Sequence, residues 1–440
     1  MQQYGSRSWL WLLTFALLLG EATVVRATTS IAELENYRGV TITQIQAQGN
    51  RVTKDYVIAR EIWSEEGHPL DPALVAEDIT RLENLALFGS VVVTVIPEDS
   101  GVALNFEFTE MPSLIPFPAV SWNEQNGFSF GVGLTSPNFR GQGVNLSTKA
   151  VFGGTTNYFF RASNPWISGD HFSVELLAYH NERDNTLLDF EENSDRVEVT
   201  LGYYIGRYGR MSGNVGYWGV GSDRDGITLS PDRRDNLFLV GTKLGFDNRD
   251  SWRVPHSGWK AQLVSSYLGG DANTQTTTLD IRRYQPLADR HTIALGPLAS
   301  MQTGVVGTHI PSYQQYFLGG SNSVRGFKLE ELGKEIFGRN RLLFTAEYRY
   351  LVMPVRPFSV LSWSVAVGME LAAFSDVGVV WNDAPEFGLN RTRMGYGVGA
   401  RVLFPVVDML RFDIGVSEFG DVVFNFGVHS MFEARSLPVF

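Results

Sequence analysis

A short segment rich in glycine and small polar residues, residues 318–327, carries a single arginine near its end. Gly319 and Gly320 permit backbone angles that side chains forbid, so the segment can reverse direction tightly. An arm of this kind, with a cation at Arg325 and an aromatic ring at Phe327, can fold back into a cavity and dock there. Taken alone, the segment also has the composition of an ordinary surface loop.

Arginine presents five donors in a fixed fork, and this geometry suits a two-pronged bond to a carboxylate. Two candidate carboxylates follow in the chain, Glu347 in the sequence TAEYRY and Asp376 in FSDVGVVW. The segment and these two acids are the candidate site, and binding rather than covalent chemistry is what they could supply.

Other patterns fit strands better than catalytic sites. The GxSxG spacing at residues 127–131 matches a hydrolase nucleophile elbow, but strand-like alternation follows where the elbow needs a helix. Gly395, Gly397 and Gly399 also lack the helix of a dinucleotide loop, and they indicate a bend or close packing against an inner plug. The seven histidines show no paired spacing. We therefore predict a protein that is not an enzyme, with no catalytic residues, no cofactor and no metal site.

Composition narrows the class of protein. The chain has 440 residues, a formal net charge of −11 and no cysteine. The negative charge argues against nucleic acid as a partner, and the lack of cysteine excludes disulfides and thiolate chemistry. Aromatic residues at 12%, 45 glycines and a mean hydropathy of −0.07 suit a soluble β protein or an outer-membrane barrel.

The N-terminus has the pattern of a secretory signal peptide over residues 1–27. Arg7 supplies the positive charge, residues 9–19 form an apolar run too short to span a bilayer, and Ala27 ends a plausible cleavage site. Cleavage near Gly20 or Ala22 and a retained anchor are the alternatives. No later run of about 18 apolar residues occurs, so a mature membrane protein would have to be a barrel.

Residues 38–111 predict a small α+β domain. We expect strand, helix, helix, strand, strand, with Thr53 and Asp71 as helix N-caps and Pro72 opening the second helix. This order, with Gly49 and Asn50 after the first strand and the sequence RLENLALFGSVVVTV, resembles a POTRA domain. The resemblance implies a periplasmic domain that holds client segments by adding a strand to its sheet edge. Without it, any small α+β domain fits.

Residues 112–118 hold three prolines and suggest a short stiff linker, although the first strand is already expected from residue 115. From residue 115 to 440 the sequence alternates with period two and shows no convincing helix. Val197 and Leu201, for example, fall opposite Arg196 and Glu198. A soluble sandwich would alternate too, but the length, the aromatic residues near strand ends and the charged second face favour a sixteen-stranded antiparallel transmembrane barrel. The segment with Arg325 then lies in a long loop, residues 305–339, after the eleventh barrel strand.

Several motifs together resemble the BamA/TamA superfamily of outer-membrane insertases and translocators, also called the bacterial surface antigen family. The motifs are VRGF at residues 324–327, FSDVG at 374–378, AEYRY at 346–350, SPNFRGQGVNL at 136–146, NPW at 164–166 and DNRDSWRVPHSGW at 247–259. The resemblance covers essentially the whole mature chain.

The resemblance implies specific residues for a lumenal site. Val324, Arg325, Gly326 and Phe327 match the family's lumenal loop motif, and Arg325 would bond to Glu347 and Asp376 on the inner barrel wall. Near the C-terminus, three further residues fit the family's barrel assembly signal: Asn425, Gly427 and Phe432. Ser430 stands where that signal usually has an aromatic residue.

The resemblance also implies a function and partners. We expect a factor in the bacterial outer membrane that captures unfolded outer-membrane or secreted client proteins and inserts or translocates them. Its partners would include outer-membrane lipid and periplasmic or lipoprotein accessory factors. Two alternatives stay open, a secretion translocator for one dedicated substrate and a non-transporting barrel anchor. A diffusion porin is disfavoured because the long loop would plug the lumen.

Overall fold

The computed structural model describes residues 31–123, 126–167, 171–252, 254–327, 336–360, 363–404 and 408–428. The predicted signal peptide at residues 1–27 lies outside these ranges, as do Ser430 and Phe432 of the predicted assembly signal.

The N-terminal domain is a three-stranded sheet with helices packed on it. Its elements are α1 (Ile31–Glu35), β1 (Ile42–Gln48), α2 (Asp55–Ala59), α3 (Pro72–Asn84), β2 (Phe88–Glu98) and β3 (Gly101–Glu110). The strand order is β1-β3-β2, with β1 parallel and β2 antiparallel to β3. The predicted order of elements is confirmed, with α1 as an addition. None of the described helices is long and apolar enough to cross a membrane.

The helices of this domain bury one apolar face against the sheet. Val57, Val75 and Leu82 from α2 and α3 pack with Leu104 and Phe106 of β3 in a single core. This spacing of apolar residues at steps of three and four is what places them on one helical face. The packing therefore stabilises helices that are too short to persist alone.

The two predicted N-caps have different outcomes. Asp71 caps α3 as predicted, because its carboxylate accepts a hydrogen bond from the Ala73 N–H at 3.0 Å. The prediction for Thr53 is wrong, since the N-cap of α2 is Lys54 and no side chain caps that helix. The Thr53 hydroxyl is instead buried and accepts a hydrogen bond of 2.8 Å from Asn138 Nδ2, a residue outside the domain. A contact between domains thus replaces a local cap.

The rest of the described chain forms one antiparallel sheet of sixteen strands, which confirms the predicted fold class. Two two-residue strands, Tyr316–Phe317 and Phe337–Gly338, pair with each other in the connection between Gln302 and Asn340. The strands are β4 (Ile115–Asn123), β5 (Gly127–Phe139), β6 (Val144–Gly153), β7 (Thr155–Asn164), β8 (Phe172–Asn185), β9 (Phe190–Ile205), β10 (Gly209–Ser222), β11 (Arg234–Asp247), β12 (Gly258–Gly270), β13 (Thr274–Ala288), β14 (His291–Gln302), β15 (Tyr316–Phe317), β16 (Phe337–Gly338), β17 (Asn340–Val360), β18 (Trp363–Trp381), β19 (Arg393–Phe404), β20 (Asp408–Ser417) and β21 (Val422–Val428).

Alternating side chains give this sheet an apolar outer face and a polar inner face. In β9, Val197, Leu201 and Ile205 are exposed on the outside, whereas Arg196 is buried. A charged side chain can be buried in this way only where other polar groups surround it. The inner face of the barrel wall therefore carries buried polar residues.

Strand direction defines two ends of the barrel. Because β4 follows the N-terminal domain, it begins at the end nearest that domain, which we call the near end. The turns β5–β6, β9–β10 and β11–β12 then also lie at the near end, and the β14–β17 connection leaves from the far end. Residues 115–118, which the sequence assigned both to a linker and to the barrel, belong to β4.

The hairpin of β17 and β18 is longer than the sequence indicated. The alternation predicts strands over 340–351 and 365–380, whereas the observed strands are Asn340–Val360 and Trp363–Trp381. The ladder between β14 and β17 ends at the pair His291 and Tyr350. Beyond that pair the hairpin extends past the near-end rim. Continuous apolar residues over 351–355 lack the alternation on which the prediction depended.

Candidate functional site

The β14–β17 connection folds back into the barrel. Val324 and Phe327 are buried, and they pack in one apolar cluster with wall residues Leu298, Leu343 and Val380. A sixteen-stranded barrel has room for such a segment because its lumen is too wide for wall side chains to fill. Residues 316–327 of the connection thus occupy lumen space that would otherwise hold water.

Arg325 lies fully buried between the two carboxylates named from the sequence. Its Nε and Nη2 donate to the two oxygens of Asp376 at 2.6 and 2.9 Å, and its backbone N–H donates to the same carboxylate at 3.2 Å. Its Nη1 donates to Glu347 Oε1 at 2.9 Å. The two-pronged geometry is the one that the guanidinium fork favours.

The structure adds a third carboxylate that sequence reasoning missed. Asp413 of β20 accepts from Arg325 Nη1 at 3.1 Å and from Arg401 Nη1 at 2.7 Å. Arg401 also donates to Glu347 at 2.9 Å, and Glu347 in turn pairs with Arg349 at 2.8 Å. All of these side chains are buried, so the charges compensate one another rather than being solvated by water. The alternation of Asp413 with apolar Phe412 and Ile414 was the available signal.

A wall arginine holds the loop from the opposite direction. Arg411 Nη2 donates to the Ser321 carbonyl at 2.6 Å and to Asn322 Oδ1 at 3.2 Å, while its Nε lies 3.2 Å from Asp413. An arginine of the loop therefore binds carboxylates of the wall, and an arginine of the wall binds oxygen atoms of the loop. Asp413 contacts both cations and links the two anchors.

The wall residues that contact the loop at Arg325 and Gly326 include the aromatic Phe374 and two glycines. The Phe374 ring centre lies 3.4 Å from the Arg325 guanidinium carbon. A Cβ on Gly395 would lie 1.8 Å from the Arg325 carbonyl oxygen, and a Cβ on Gly415 would lie 2.6 Å from the Gly326 nitrogen. Gly326 has φ +101°, a conformation that L side chains rarely adopt. Glycine is therefore required on both sides of this contact.

Two residues of the predicted assembly signal lie in β21. Asn425 is buried on the inner face, and Gly427 faces Arg411, whose Nη2 would be 2.8 Å from an added Cβ. Phe432, the aromatic end of that signal, lies outside the described residues. Asn425 and Gly427 both lie in β21, the last described strand of the sheet.

The motifs set aside above lie on strands. Gly127, Ser129 and Gly131 belong to β5, and the Ser129 hydroxyl bonds to Thr155 Oγ1 at 3.1 Å rather than to a histidine. Gly395, Gly397 and Gly399 belong to β19. Over the described ranges no group of three His, Asp or Glu side chains converges as a metal site.

Two family models match this chain. One, described as the Omp85 superfamily domain, matches residues 138–432, and the other, described as POTRA, surface antigen variable number repeat, matches residues 40–111. The chain belongs to the Omp85 superfamily. The resemblance to the BamA/TamA superfamily is thereby confirmed, with one POTRA domain among the described residues.

Relatives of this Omp85 chain include two outer membrane protein assembly factors named BamA. The protein from Nitratidesulfovibrio vulgaris is 22% identical over 86% of this chain and 48% of its own length. The protein from Neisseria meningitidis is 21% identical over 90% of this chain and 55% of its own length. The chain thus spans about half the length of these two relatives.

Solved structures share the fold. A BamA from Haemophilus ducreyi that lacks POTRA domains 1–3 superposes with a TM-score of 0.57 at 18% identity, covering 96% of this chain and 93% of that one. CdiB from Acinetobacter baumannii gives 0.54 at 15% identity, covering 97% and 82%. CdiB from Escherichia coli gives 0.56 at 16% identity, covering 89% and 75%.

This Omp85 chain is an outer-membrane protein with its POTRA domain in the periplasm, so the near end of the barrel faces the periplasm. The POTRA domain contacts the near-end turns directly. The Lys54 N–H donates to the Gly141 carbonyl at 2.9 Å, and the Trp252 N–H donates to Asn84 Oδ1 at 3.1 Å. The domain is therefore held against the turns of the β5–β12 side of the barrel.

Proposed function

We propose that this protein inserts unfolded client proteins into the outer membrane, using the POTRA edge to capture them and the barrel wall to template them. One observation carries the proposal. The sixteen-stranded sheet runs from β4 to β21, and the described residues of these two strands form no ladder with each other. We call the facing edges of β4 and β21 the seam.

An unpaired strand edge in a membrane is reactive. Backbone N–H and C=O groups find no water in the hydrocarbon region, so each unsatisfied group costs several kcal/mol. A client strand that pairs with a seam edge removes this cost for both partners. Insertion of this kind requires no covalent step, and the outer membrane protein assembly factors among the relatives support it.

The POTRA domain offers one open edge for capture. The outer edge of β1 is covered, because the Ile42 N–H donates to the His68 carbonyl and the Ile45 N–H to Glu66 Oε1, each at 2.9 Å. The outer edge of β2 carries no paired strand among the described residues. A client segment would therefore add to β2. Strand β18 comes within 8 Å of β2 between Cα atoms, so the bound segment would lie beside the barrel wall.

The lumenal loop keeps the barrel closed away from the seam. Arg325 ties β17, β18 and β20 together through Glu347, Asp376 and Asp413. These strands form the wall next to β21, so the ionic cluster gives one side of the seam a rigid support. Opening would then be confined to the seam itself.

The decisive experiment measures folding of an unfolded client barrel added to liposomes that contain the purified protein. Empty liposomes and liposomes with a variant lacking residues 38–111 are the controls. Faster folding that depends on the deleted domain supports the proposal. No acceleration across several clients would contradict it and favour a translocator for one dedicated substrate, or a passive anchor. Ion conductance would then separate these two, because only the translocator needs a lumen that opens.

A further inference from the structure

The first barrel strand carries two prolines on one edge. Pro116 and Pro118 both lie within β4, and the β4–β5 register runs without interruption from Ile115 to Asn123. Proline has no backbone N–H, so in sheets it is found mostly on edge strands with its nitrogen facing away from the neighbouring strand, at strand starts and at bulges. The two prolines are separated by one residue and therefore present their nitrogens to the same edge.

A hydrogen bond between β5 and β6 determines which edge of β4 this is. The Gly154 N–H donates to the Phe128 carbonyl at 3.0 Å, in the same register that joins β5 to β6. Even-numbered residues of β5 therefore bond to β6, because the bonding direction alternates along an antiparallel strand. Odd-numbered residues of β5 bond to β4.

Odd-numbered β5 residues pair with odd-numbered β4 residues, for example Thr135 with Ile115 and Gly133 with Phe117. The even-numbered positions of β4 consequently face the seam. Of the four even-numbered residues in this strand, Pro116 and Pro118 lack a donor, while Val120 and Trp122 have one.

On the other side of the seam, β21 has no proline among Val422–Val428. The Ser417 N–H donates to the Asp421 carbonyl at 2.9 Å, in the register of the β20–β21 pair, so odd-numbered residues of β21 bond to β20. Val422, Phe424 and Phe426 therefore face the seam, and each has a donor and an acceptor. These three residues of β21 thus keep their backbone N–H groups, whereas two of the four seam-facing residues of β4 lack one.

We infer that Pro116 and Pro118 keep the periplasmic half of the seam unpaired, and that the wall opens from this half. The prolines lie at the start of β4, which is the near end and faces the periplasm. Every carbonyl placed opposite them stays without a partner, whether it comes from β21 or from a client. A client strand would form its backbone ladder with the outer half of β4, from Val120 onward. The role of this gap in client entry rests on the proposed function, but the gap itself does not.

Hydrogen–deuterium exchange of the full-length protein in lipid nanodiscs tests the inference. The double variant P116V/P118V restores two backbone donors that face the seam and adds no charge to the lipid-facing side chains. Amides of Val422–Val428 are then expected to exchange at least about five-fold more slowly, the factor that corresponds to roughly 1 kcal/mol for one net hydrogen bond. Pro297→Val, a lipid-facing proline in the interior strand β14, is the matched control and should leave these amides unchanged. Unchanged exchange in P116V/P118V would overturn the inference.

A second pair of variants tests the edge assignment even if the first variant folds poorly. Val120→Pro removes a seam-facing donor that bonds to no described residue of β21, so the barrel should still assemble in normal yield. Ala119→Pro removes a donor that faces β5, so it should disrupt β4 and reduce the yield of folded barrel. Equal damage from both substitutions would contradict the assignment.

Client folding with P116V/P118V separates this inference from the proposed function. Slower β21 exchange together with slower client folding supports both. Slower β21 exchange with unchanged client folding leaves the seam gap established and counts against insertion through the seam.

Discussion

The guanidinium of Arg325 grips the Asp376 carboxylate with two bonds of 2.6 and 2.9 Å, and the Arg325 backbone N–H donates to the same group at 3.2 Å. Side chain and main chain of one loop residue thus converge on one wall residue 51 positions later in the chain. Because the pair is fully buried, each charge depends on the other for compensation.

Removing one partner of this pair should be costly. Arg325→Ala leaves the carboxylates of Asp376, Glu347 and Asp413 with one cation fewer, and we expect a loss of about 3–5 kcal/mol in barrel stability. Arg325→Lys keeps the charge but loses the fork, so it should recover only part of that loss. The temperature at which the folded band disappears in heat-modifiability gels measures both.

Arg224→Ala is the control for these variants, because Arg224 pairs with Asp189 at an exposed site between strands. Its effect should stay below about 1 kcal/mol. Heat-modifiability and client folding that are unchanged in Arg325→Ala would contradict a stabilising role for the loop.

Substitution of the glycines under the loop should also destabilise the barrel. Gly395→Ala places a Cβ 1.8 Å from the Arg325 carbonyl oxygen, so the loop must move or the wall must bend. We expect a cost of about 1–3 kcal/mol from this overpacking. Gly213→Ala is the matched control, since its nearest non-neighbouring atom is 3.7 Å away. Equal unfolding temperatures for the two variants would show that the loop does not depend on this close contact.

Much of this fold could be predicted, because period-two alternation identifies strands without knowledge of their partners. The pairing of Arg325 with Asp376 came from the motifs that resemble the superfamily, and Glu347 also lies on the polar face. Asp413 could not be singled out. It shares its alternation with every other lumen-facing charge, and only the three-dimensional register of β20 brings it to Arg325.

The errors in prediction have a common physical origin. Thr53 is of the right residue type for an N-cap, but Asn138 at the end of β5, 85 residues away, bonds to its hydroxyl instead. The β17–β18 hairpin continues through residues 351–360, where pairing within the hairpin needs no inside–outside alternation. The local sequence indicates only local conformational preference, whereas contacts with residues distant in the chain determine the structure in these two cases.

The Trp63 ring of the POTRA domain takes part in the contact with the barrel. The guanidinium of Arg81 lies 4.0 Å, and that of Arg207 4.9 Å, from the Trp63 ring centre, and Arg207 also pairs with Glu77. Trp63→Ala should weaken the contact between the domain and the barrel, because it removes the cation–π attraction of about 0.5–2 kcal/mol between Trp63 and Arg207. Limited proteolysis between residues 111 and 114 should become faster. Ile96→Ala, an exposed apolar residue of the same domain, should leave the rate unchanged, and equal rates for both variants would argue against this contact.

We expect the stability of the POTRA domain to depend on pH through Glu61. Burial raises the pKa of this carboxyl, although the Arg60 guanidinium at 3.3 Å acts in the opposite direction. The folded domain therefore holds the proton more tightly than the unfolded chain. Its contribution to stability is fully present below the unfolded pKa of about 4.3 and is lost as the pH rises through the higher folded pKa.

Glu61→Gln removes this titration and keeps an oxygen that can accept from Arg60. Relative to the wild type, the variant should therefore be more stable at pH 8 than at pH 4, by about 1.4 kcal/mol for each unit of upward shift. Hydrogen exchange of α3 and β2 in the full protein measures the difference. Glu98→Gln, at the exposed end of β2, is the control for the loss of a carboxyl group outside the core. A difference between Glu61→Gln and the wild type that is the same at both pH values would rule out titration of Glu61 as its cause.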